Sequence, residues 1–173
     1  MKKMLLLLIS NVLVLPLFAQ NPDTRVEQLR LQLPPVSAPM ANYVRAVRSG
    51  NLVFLAGHGP TRADGTTITG KVGSRLTVEE GYEAARITAL SLLATLREAL
   101  GGSLNRVKRI VKVNGYVNCG PDFGLQPQVI NGCSDLLVAV FGEKGKHARA
   151  AMGMVSLPNQ IAVEIEMIVE VED

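Results

Sequence analysis

The apolar residues of this chain follow two kinds of spacing, and each spacing predicts a different kind of element. In several short stretches an apolar residue recurs at every second position, which is typical of a β-strand with one buried face. Such strands are predicted over residues 42–48, 52–56 and 109–118, and on each side of Leu157-Pro158 within residues 147–166. The turn residues Ser49-Gly50-Asn51 join the first two strands and predict a β-hairpin.

Two longer stretches have their apolar residues at helical spacing. The first covers residues 78–100 and follows a capping box, in which Thr77 and Glu80 each accept a backbone hydrogen bond from the other. A Gly-Gly pair ends this helix. The second helix covers residues 129–141 and begins after Pro127.

The order strand, strand, helix, strand, helix, strand, strand predicts a single α+β domain. We expect a mixed β-sheet with two helices packed on one face. A chain of 173 residues, of which 47% are hydrophobic, is long enough to build one full core. The other face of the sheet would need a partner, so self-association is expected.

Residues 147–166 contain the most suggestive chemistry. Arg149 begins one predicted strand, and Glu164 lies on the next, on the face opposite Val163 and Ile165. Leu157-Pro158-Asn159 between them is turn chemistry. If the two strands pair, the guanidinium and the carboxylate lie close enough to hold a small anion and a water molecule.

The N-terminus predicts export. Lys2 and Lys3 precede an apolar run that ends at Phe18, and Ala19 follows, which is the pattern of a cleavable signal peptide over residues 1–19. A buried helix or a membrane anchor is the alternative, but the run is short for a span, and Asn11 and Pro16 interrupt it. We expect a periplasmic or secreted protein with no stable membrane anchor. Residues 20–41 contain several prolines and predict an extended lead-in, with the domain over residues 42–173.

Charge and composition disfavour nucleic acid as a partner. Loss of Lys2 and Lys3 with the signal peptide brings the 18 basic residues close to the 15 acidic ones. Aromatic residues make up 4% of the chain, which is few for a base-stacking surface.

No metal site is expected, because His58 and His147 lie far apart in sequence and neither cysteine has a ligand-like neighbour. Cys119 and Cys133 are either buried thiols or a disulfide pair.

The chain resembles the RidA/YjgF family, the reactive-intermediate deaminases once called L-PSP endoribonucleases, from about residue 42 to the C-terminus. The C-terminal signature is Arg149, a short strand, Leu157-Pro158 and then Val163-Glu164-Ile165-Glu166. Three further segments carry the likeness: residues 79–86 (EEGYEAAR), Asn131-Gly132 with Ser134-Asp135-Leu136-Leu137, and Phe141-Gly142-Glu143 before His147. The resemblance implies a chorismate-mutase-like fold and a homotrimer with sites at the subunit interfaces.

The resemblance also implies roles for individual residues. Arg149 would pair with a substrate carboxylate, and Glu164 would hold the attacking water. Tyr43, Gly57 and Asn131 would line the same pocket. Two positions differ from the usual family pattern, because Ala56 replaces a serine and Ala151 replaces a cysteine.

Three functional hypotheses follow. The resemblance implies hydrolysis of enamine or imine intermediates, such as 2-imino acids, to 2-oxo acids and ammonia, with no metal or organic cofactor. Ala56, Ala151 and the export signal favour a second hypothesis, a protein that binds a small carboxylate or metabolite without turnover. The third, endoribonuclease activity, fits the near-neutral charge and the few aromatics poorly.

Overall fold

A computed structural model describes residues 21–36 and 41–172. The helices and strands in this part of the chain are α1 (Pro22–Gln28), β1 (Ala46–Ser49), β2 (Leu52–His58), α2 (Val78–Ala99), β3 (Val107–Asn118), α3 (Gln126–Phe141), β4 (Ala148–Met154) and β5 (Val163–Val171). Short 3-10 turns cover Gly142–Gly145 and Pro158–Gln160. From β1 onward the order is the predicted one.

The strands form one mixed sheet in the order β1-β2-β5-β3-β4. β3 and β4 run parallel, and the other neighbouring pairs are antiparallel. The predicted hairpin is confirmed, because Ser49 of β1 pairs with Leu52 of β2. Gly50 turns the chain with a φ of 59°, a conformation that glycine adopts without a steric penalty.

The predicted pairing of the two strands around Leu157-Pro158 is wrong. β5 lies between β2 and β3, so β3 separates β5 from β4. The segment after β4 therefore carries the chain past β3 instead of closing a hairpin. Period-two alternation tells which face of a strand is buried, but it does not tell which strand lies beside it.

α2 and α3 cover one face of the sheet, as predicted. Every second residue of β5, from Val163 to Val171, is buried on this side. The two helices approach closely at Gly132, where a Cβ atom would lie 2.0 Å from the Tyr82 carbonyl oxygen. Thr77 and Glu80 form the predicted capping box at the start of α2. The α+β fold class is confirmed.

The opposite face of the sheet is left open in the described part of the chain. Val47, Phe54 and Ile168 lie in one cross-strand row on this face. The side chains of Val47 and Phe54 are 52% and 41% exposed. Tyr116 and Met152 lie in a second row, which also contains Glu164. An apolar stripe thus runs beside a carboxylate on an uncovered sheet face.

The N-terminal segment differs from the predicted extended lead-in over residues 20–41, because Pro22–Gln28 forms helix α1. Asn21 caps this helix by accepting hydrogen bonds from the backbone N–H groups of Asp23 and Thr24. Proline at the first position of a helix suits it, since its fixed φ is helical and no N–H partner is needed there. Prolines in the segment thus mark a helix start as well as extended chain.

The predicted signal peptide, residues 1–19, lies outside the described residues and stays a prediction. Among the residues that the structure describes, no helix combines the length and the apolar character that a membrane crossing needs.

Both cysteines are free thiols buried in the core. Burial raises the pKa of Cys133 to about 12. This thiol is therefore protonated at neutral pH and is not a nucleophile.

Candidate functional site

A cavity of about 370 Å³ lies before the first residue of β1, beside the end of β2. Three of the predicted site residues line it: Tyr43, Gly57 and Glu164. Tyr43 lies three residues before β1, not within the strand predicted over residues 42–48, and its side chain is 44% exposed. The cavity therefore lies between the chain before β1, the end of β2 and the start of β5.

Gly57 leaves the space that the Glu164 carboxylate occupies. A Cβ atom at residue 57 would lie 2.1 Å from Glu164 Oε1 and 2.9 Å from its Cδ. Any side chain at this position would therefore displace the carboxylate. The requirement for glycine here comes from a close approach and not from a left-handed backbone.

The Glu164 carboxylate is partly desolvated and available. Burial, together with the neighbouring Glu166 carboxylate, raises the pKa of Glu164 above its usual range. Within the described part of the chain no hydrogen bond fixes its oxygens. Glu166 instead accepts hydrogen bonds from Asn114 Nδ2 at 2.9 Å and from the Tyr116 hydroxyl at 3.1 Å. Of the two glutamates on this face, Glu164 is thus the one that can exchange a proton with a ligand.

A strained turn forms another wall of the same cavity. Asn159 and Gln160 have φ values of 53° and 57°, in the left-handed region. The Ile161 N–H closes the turn on the Pro158 carbonyl oxygen at 3.2 Å. Asparagine tolerates this conformation, but glutamine there costs on the order of 1 kcal/mol. Backbone strain of this kind concentrates at binding sites.

We expect Gly57→Ala to move the Glu164 carboxylate out of the space beside β2 while the protein still folds. The new methyl group would meet the end of a flexible side chain, so the free energy of unfolding should change by less than about 1 kcal/mol. A crystal structure and a urea titration of the variant would measure the two effects. Gly120→Ala is the matched control, because nothing lies within 4 Å of a Cβ atom there. An unmoved carboxylate in Gly57→Ala would contradict the expectation.

A second cluster surrounds Arg149, at the start of β4. Arg149 Nη1 donates to Asn131 Oδ1 at 2.8 Å and to Ser134 Oγ at 3.0 Å, both on α3. Among the described residues no hydrogen bond from Nη2 or Nε is present. The guanidinium is therefore held at one nitrogen and can offer the others to a planar anion.

His147 completes the support of Arg149. Its Nδ1 lies 2.7 Å from the Gly145 carbonyl oxygen, so Nδ1 carries the hydrogen and Nε2 is the acceptor. The Ser134 hydroxyl then donates to Nε2 at 3.1 Å and accepts from Arg149. Burial is the main reason that the pKa of His147 is lowered, and Arg149 adds to it. A neutral histidine and a serine thus orient the guanidinium.

Arg149 and Glu164 lie on opposite faces of the sheet. Arg149 pairs with Val113, which pairs with Met167, and both partners are buried beneath the helices. Residues paired directly across strands point to the same side, so Arg149 points to the helical side. Glu164 is three residues from Met167 and points to the open side, paired with Tyr116. In one chain the two side chains therefore lie on opposite sides of the sheet, and Arg149 does not line the cavity that contains Glu164.

His58 lies buried beneath α2. Its Nδ1 is 2.7 Å from the Ala56 carbonyl oxygen and its Nε2 is 2.8 Å from Thr95 Oγ1. Burial lowers the pKa of His58, so the ring is neutral near pH 7. In residues 21–36 and 41–172 no group of three or more His, Cys, Asp or Glu side chains could hold a metal ion.

Comparison with known proteins identifies the family. Residues 23–170 match the family model described as "YjgF/chorismate mutase-like, putative endoribonuclease". The chain belongs to the YjgF/chorismate mutase-like family. Protein TCP17 of Trypanosoma cruzi is 44% identical over 149 residues, which are 86% of this chain and 92% of that protein. A RutC family protein of Pyrococcus horikoshii is 30% identical over 130 residues, 75% of this chain and 87% of the relative.

Solved structures support the same assignment. A crystal structure of a protein with unknown function from Agrobacterium tumefaciens has a TM-score of 0.81 and 40% identity, over 90% of this chain and 94% of that one. RidA from the Antarctic bacterium Psychrobacter has a TM-score of 0.54 and 28% identity, over 80% of this chain and 94% of that one. Within the YjgF family the backbone therefore agrees more closely with the Agrobacterium protein than with this RidA.

The sequence motifs included Ser134 and His147 but assigned neither a role in the site. A signal for both was present: Ser134 lies three residues after Asn131 on a helix, and His147 lies two residues before Arg149, in the extended chain that leads into β4. Each spacing places the residue on the same face as its neighbour. The role of Tyr116 and Asn114 in holding Glu166 had no such signal, because it depends on the β3–β5 register.

Proposed function

We propose that this protein hydrolyses enamine or imine intermediates, such as 2-imino acids, to 2-oxo acids and ammonia. The observation that carries the proposal is a supported guanidinium on one face of the sheet and an available carboxylate of raised pKa on the other. No metal or organic cofactor is needed, because an iminium carbon is already electrophilic. Tyr43, Gly57 and Asn131 would line the site around the two reacting groups.

Arg149 would bind the substrate carboxylate. Its Nη1 is occupied by Asn131 and Ser134, which leaves Nη2 and Nε for a forked pair of hydrogen bonds. Lysine could not replace this geometry, because an ammonium group is a point donor. The guanidinium thereby fixes the position of the neighbouring imine carbon.

Glu164 would activate the water. The carboxylate accepts a proton as the water oxygen bonds to the iminium carbon, which gives a carbinolamine. The protonated Glu164 then returns this proton to the nitrogen. As the C–N bond breaks and the C=O bond forms, ammonia leaves, and the carbinolamine hydroxyl gives its proton to the Glu164 carboxylate, which passes it to ammonia or water. The raised pKa suits a group that accepts and donates in one cycle.

The two groups would meet across an interface between copies of the chain. Arg149 and Glu164 point to opposite sides of one sheet, so a site containing both needs Glu164 from one subunit and Arg149 from another. The row formed by Val47, Phe54 and Ile168 offers the open face an apolar contact surface. A closed homotrimer, as the family resemblance implies, would bury this face and form repeated clefts.

The test uses protein expressed from the full-length sequence and an amino-acid oxidase that generates 2-imino acids in the assay. Semicarbazide traps the imine that remains, so an active protein lowers the rate of semicarbazone formation. The deaminase proposal would be overturned if the semicarbazone formed at the same rate with and without the protein, for imines generated from several amino acids.

As the pH is lowered, activity should begin to fall at a higher pH than it would if the general base were a glutamate of ordinary pKa. The reacting form of Glu164 is the carboxylate, and its raised pKa means that protonation begins at a higher pH. Glu166→Gln removes the neighbouring negative charge and should move the acid limb of the kcat/KM profile to lower pH. Both profiles need the same imine, so that substrate protonation is common to the two. An unmoved limb would contradict the role assigned to Glu166.

A binding protein without turnover is the second candidate, because Ala56 and Ala151 remove two small polar groups that the family usually carries near these positions. This second candidate predicts that small carboxylates raise the melting temperature of the wild type but not of Arg149→Ala, while no imine is hydrolysed.

Endoribonuclease activity is the weakest candidate, because a near-neutral charge gives no general attraction for RNA. Salt-dependent RNA binding by the purified protein would revive it.

We also propose that the chain is exported, to the periplasm or the medium, on the strength of residues 1–19 alone. Fractionation of cells that express the full-length chain would test this, with mass spectrometry of the N-terminus of the purified protein.

A further inference from the structure

A second cavity of about 490 Å³ lies on the outer side of α2, away from the sheet. It is bounded by the segment after α1, by the loop after β2 and by α2 itself. Its apolar lining includes Leu31, Ile87 and Leu90, and three arginines stand around it: Arg30, Arg62 and Arg86. None of these residues belongs to the Arg149 cluster.

The guanidinium groups around this cavity are weakly engaged in the described part of the chain. Arg30 has no side-chain partner there, and Arg62 donates only to Thr66 Oγ1 at 3.4 Å. Arg86 forms an exposed ion pair with Glu83 at 3.2 Å. Among the described residues Asp64 is the one carboxylate in the lining, so the cavity keeps an excess of positive charge.

Arg30 occupies a position where glycine is the usual residue. Its φ is 51°, and its N–H donates to the Glu27 carbonyl oxygen while the Leu31 N–H donates to that of Val26. This pair of hydrogen bonds is the Schellman motif that ends a helix, and the residue in the left-handed conformation is most often glycine. An arginine there strains the backbone and places a cation beside the cavity.

We propose that this cavity is a binding site for an amphiphilic organic anion, a carboxylate with an apolar chain. The apolar chain of the ligand would lie against Leu31, Ile87 and Leu90. Its carboxylate would be held by Arg30 with Arg62 or Arg86. Pro34 and residues 61–63 line both this cavity and the one that contains Glu164. Occupancy of the outer cavity would therefore contact the wall of the Glu164 cavity.

Octanoate is the probe, titrated by calorimetry into protein expressed from the full-length sequence. Octanol tests whether binding needs the carboxylate of the ligand, and acetate tests whether it needs the alkyl chain. Arg30→Gly is the decisive variant, because glycine suits the left-handed cap and should raise or preserve the melting temperature. We expect it to weaken octanoate binding about tenfold or more, as when one charge-assisted hydrogen bond is lost. Arg109→Gln is the control of equal charge change, on an exposed residue of β3.

Binding of octanoate that Arg30→Gly weakens and that both Arg109→Gln and Arg149→Ala leave intact would support the site. Equal affinity of Arg30→Gly and the wild type would overturn it. So would an equal loss in the Arg109→Gln control, because the effect would then be one of net charge. Loss in Arg149→Ala alone would place octanoate at the other site. Since the readout is binding, the result does not depend on imine hydrolysis.

Discussion

Glu164→Gln should lower kcat/KM for 2-imino acid hydrolysis by about 10²- to 10⁴-fold, the range for loss of a positioned general base. Glutamine keeps the volume and the hydrogen-bonding capacity of the side chain but cannot accept a proton from water. Fold and substrate binding should persist, because the carboxylate is not part of a structural hydrogen bond within the described residues. The measurement is the semicarbazide assay at several substrate concentrations.

Glu166→Gln is the matched control for that loss, two residues further along the same face of β5. Its side-chain oxygen still accepts hydrogen bonds from Asn114 and Tyr116, so the sheet should be undisturbed. We expect its rate above the acid limb to stay within about threefold of the wild type. If Glu166→Gln were as inactive as Glu164→Gln, or if Glu164→Gln kept full activity, the assignment of the base would be wrong.

Arg149→Ala should lower kcat/KM by about thirtyfold or more, since loss of one partner in a buried charge pair costs about 2–5 kcal/mol. The substrate carboxylate would lose its forked hydrogen bonds, and Asn131 and Ser134 would lose their donor. Arg109→Gln, which removes the same charge from an exposed residue, should behave as the wild type.

Co-expression of Arg149→Ala with Glu164→Gln tests where the two groups meet. Suppose that each site takes its guanidinium from one subunit and its carboxylate from another. In random assemblies of the two variants, the subunit that supplies the guanidinium has an intact Arg149 with a probability of about one half, and the same holds for Glu164 in the other subunit. About one quarter of the sites are then complete, and activity should return to that fraction of the wild type. Each variant alone should remain inactive. Activity no higher than the sum of the two variants would place both groups in one subunit or remove them from the chemistry.

The elements of this fold could be read from the sequence because their signals are local. The Thr77–Glu80 capping box and the apolar spacing after it lie within one helix, and both are present in α2. The alternation in β5 likewise reports only that one face of that strand is buried. Helix α1 was missed because its cap at Asn21 precedes a short, proline-bearing segment with no apolar repeat.

Strand order lay beyond the sequence pattern. The chain from β4 to β5 has a turn signal at Leu157-Pro158, and local chemistry favoured a hairpin there. In the structure β5 lies between β2 and β3, and the N–H and C=O groups of its backbone pair with both neighbouring strands. That choice depends on long-range contacts, which no short window of sequence contains.

The candidate site likewise combines features with local sequence signals and features that depend on long-range contacts. By itself, the sequence determined the strands, the two helices that cover the sheet, the glycine beside β2, the arginine at the start of β4 and the buried face of β5, because each depends on neighbours along the chain. Only the tertiary structure decided that Arg149 is held from α3 and that Glu164 faces the opposite side of the sheet. The register of β3 between β4 and β5 sets the direction of both side chains, and register is a property of the assembled sheet.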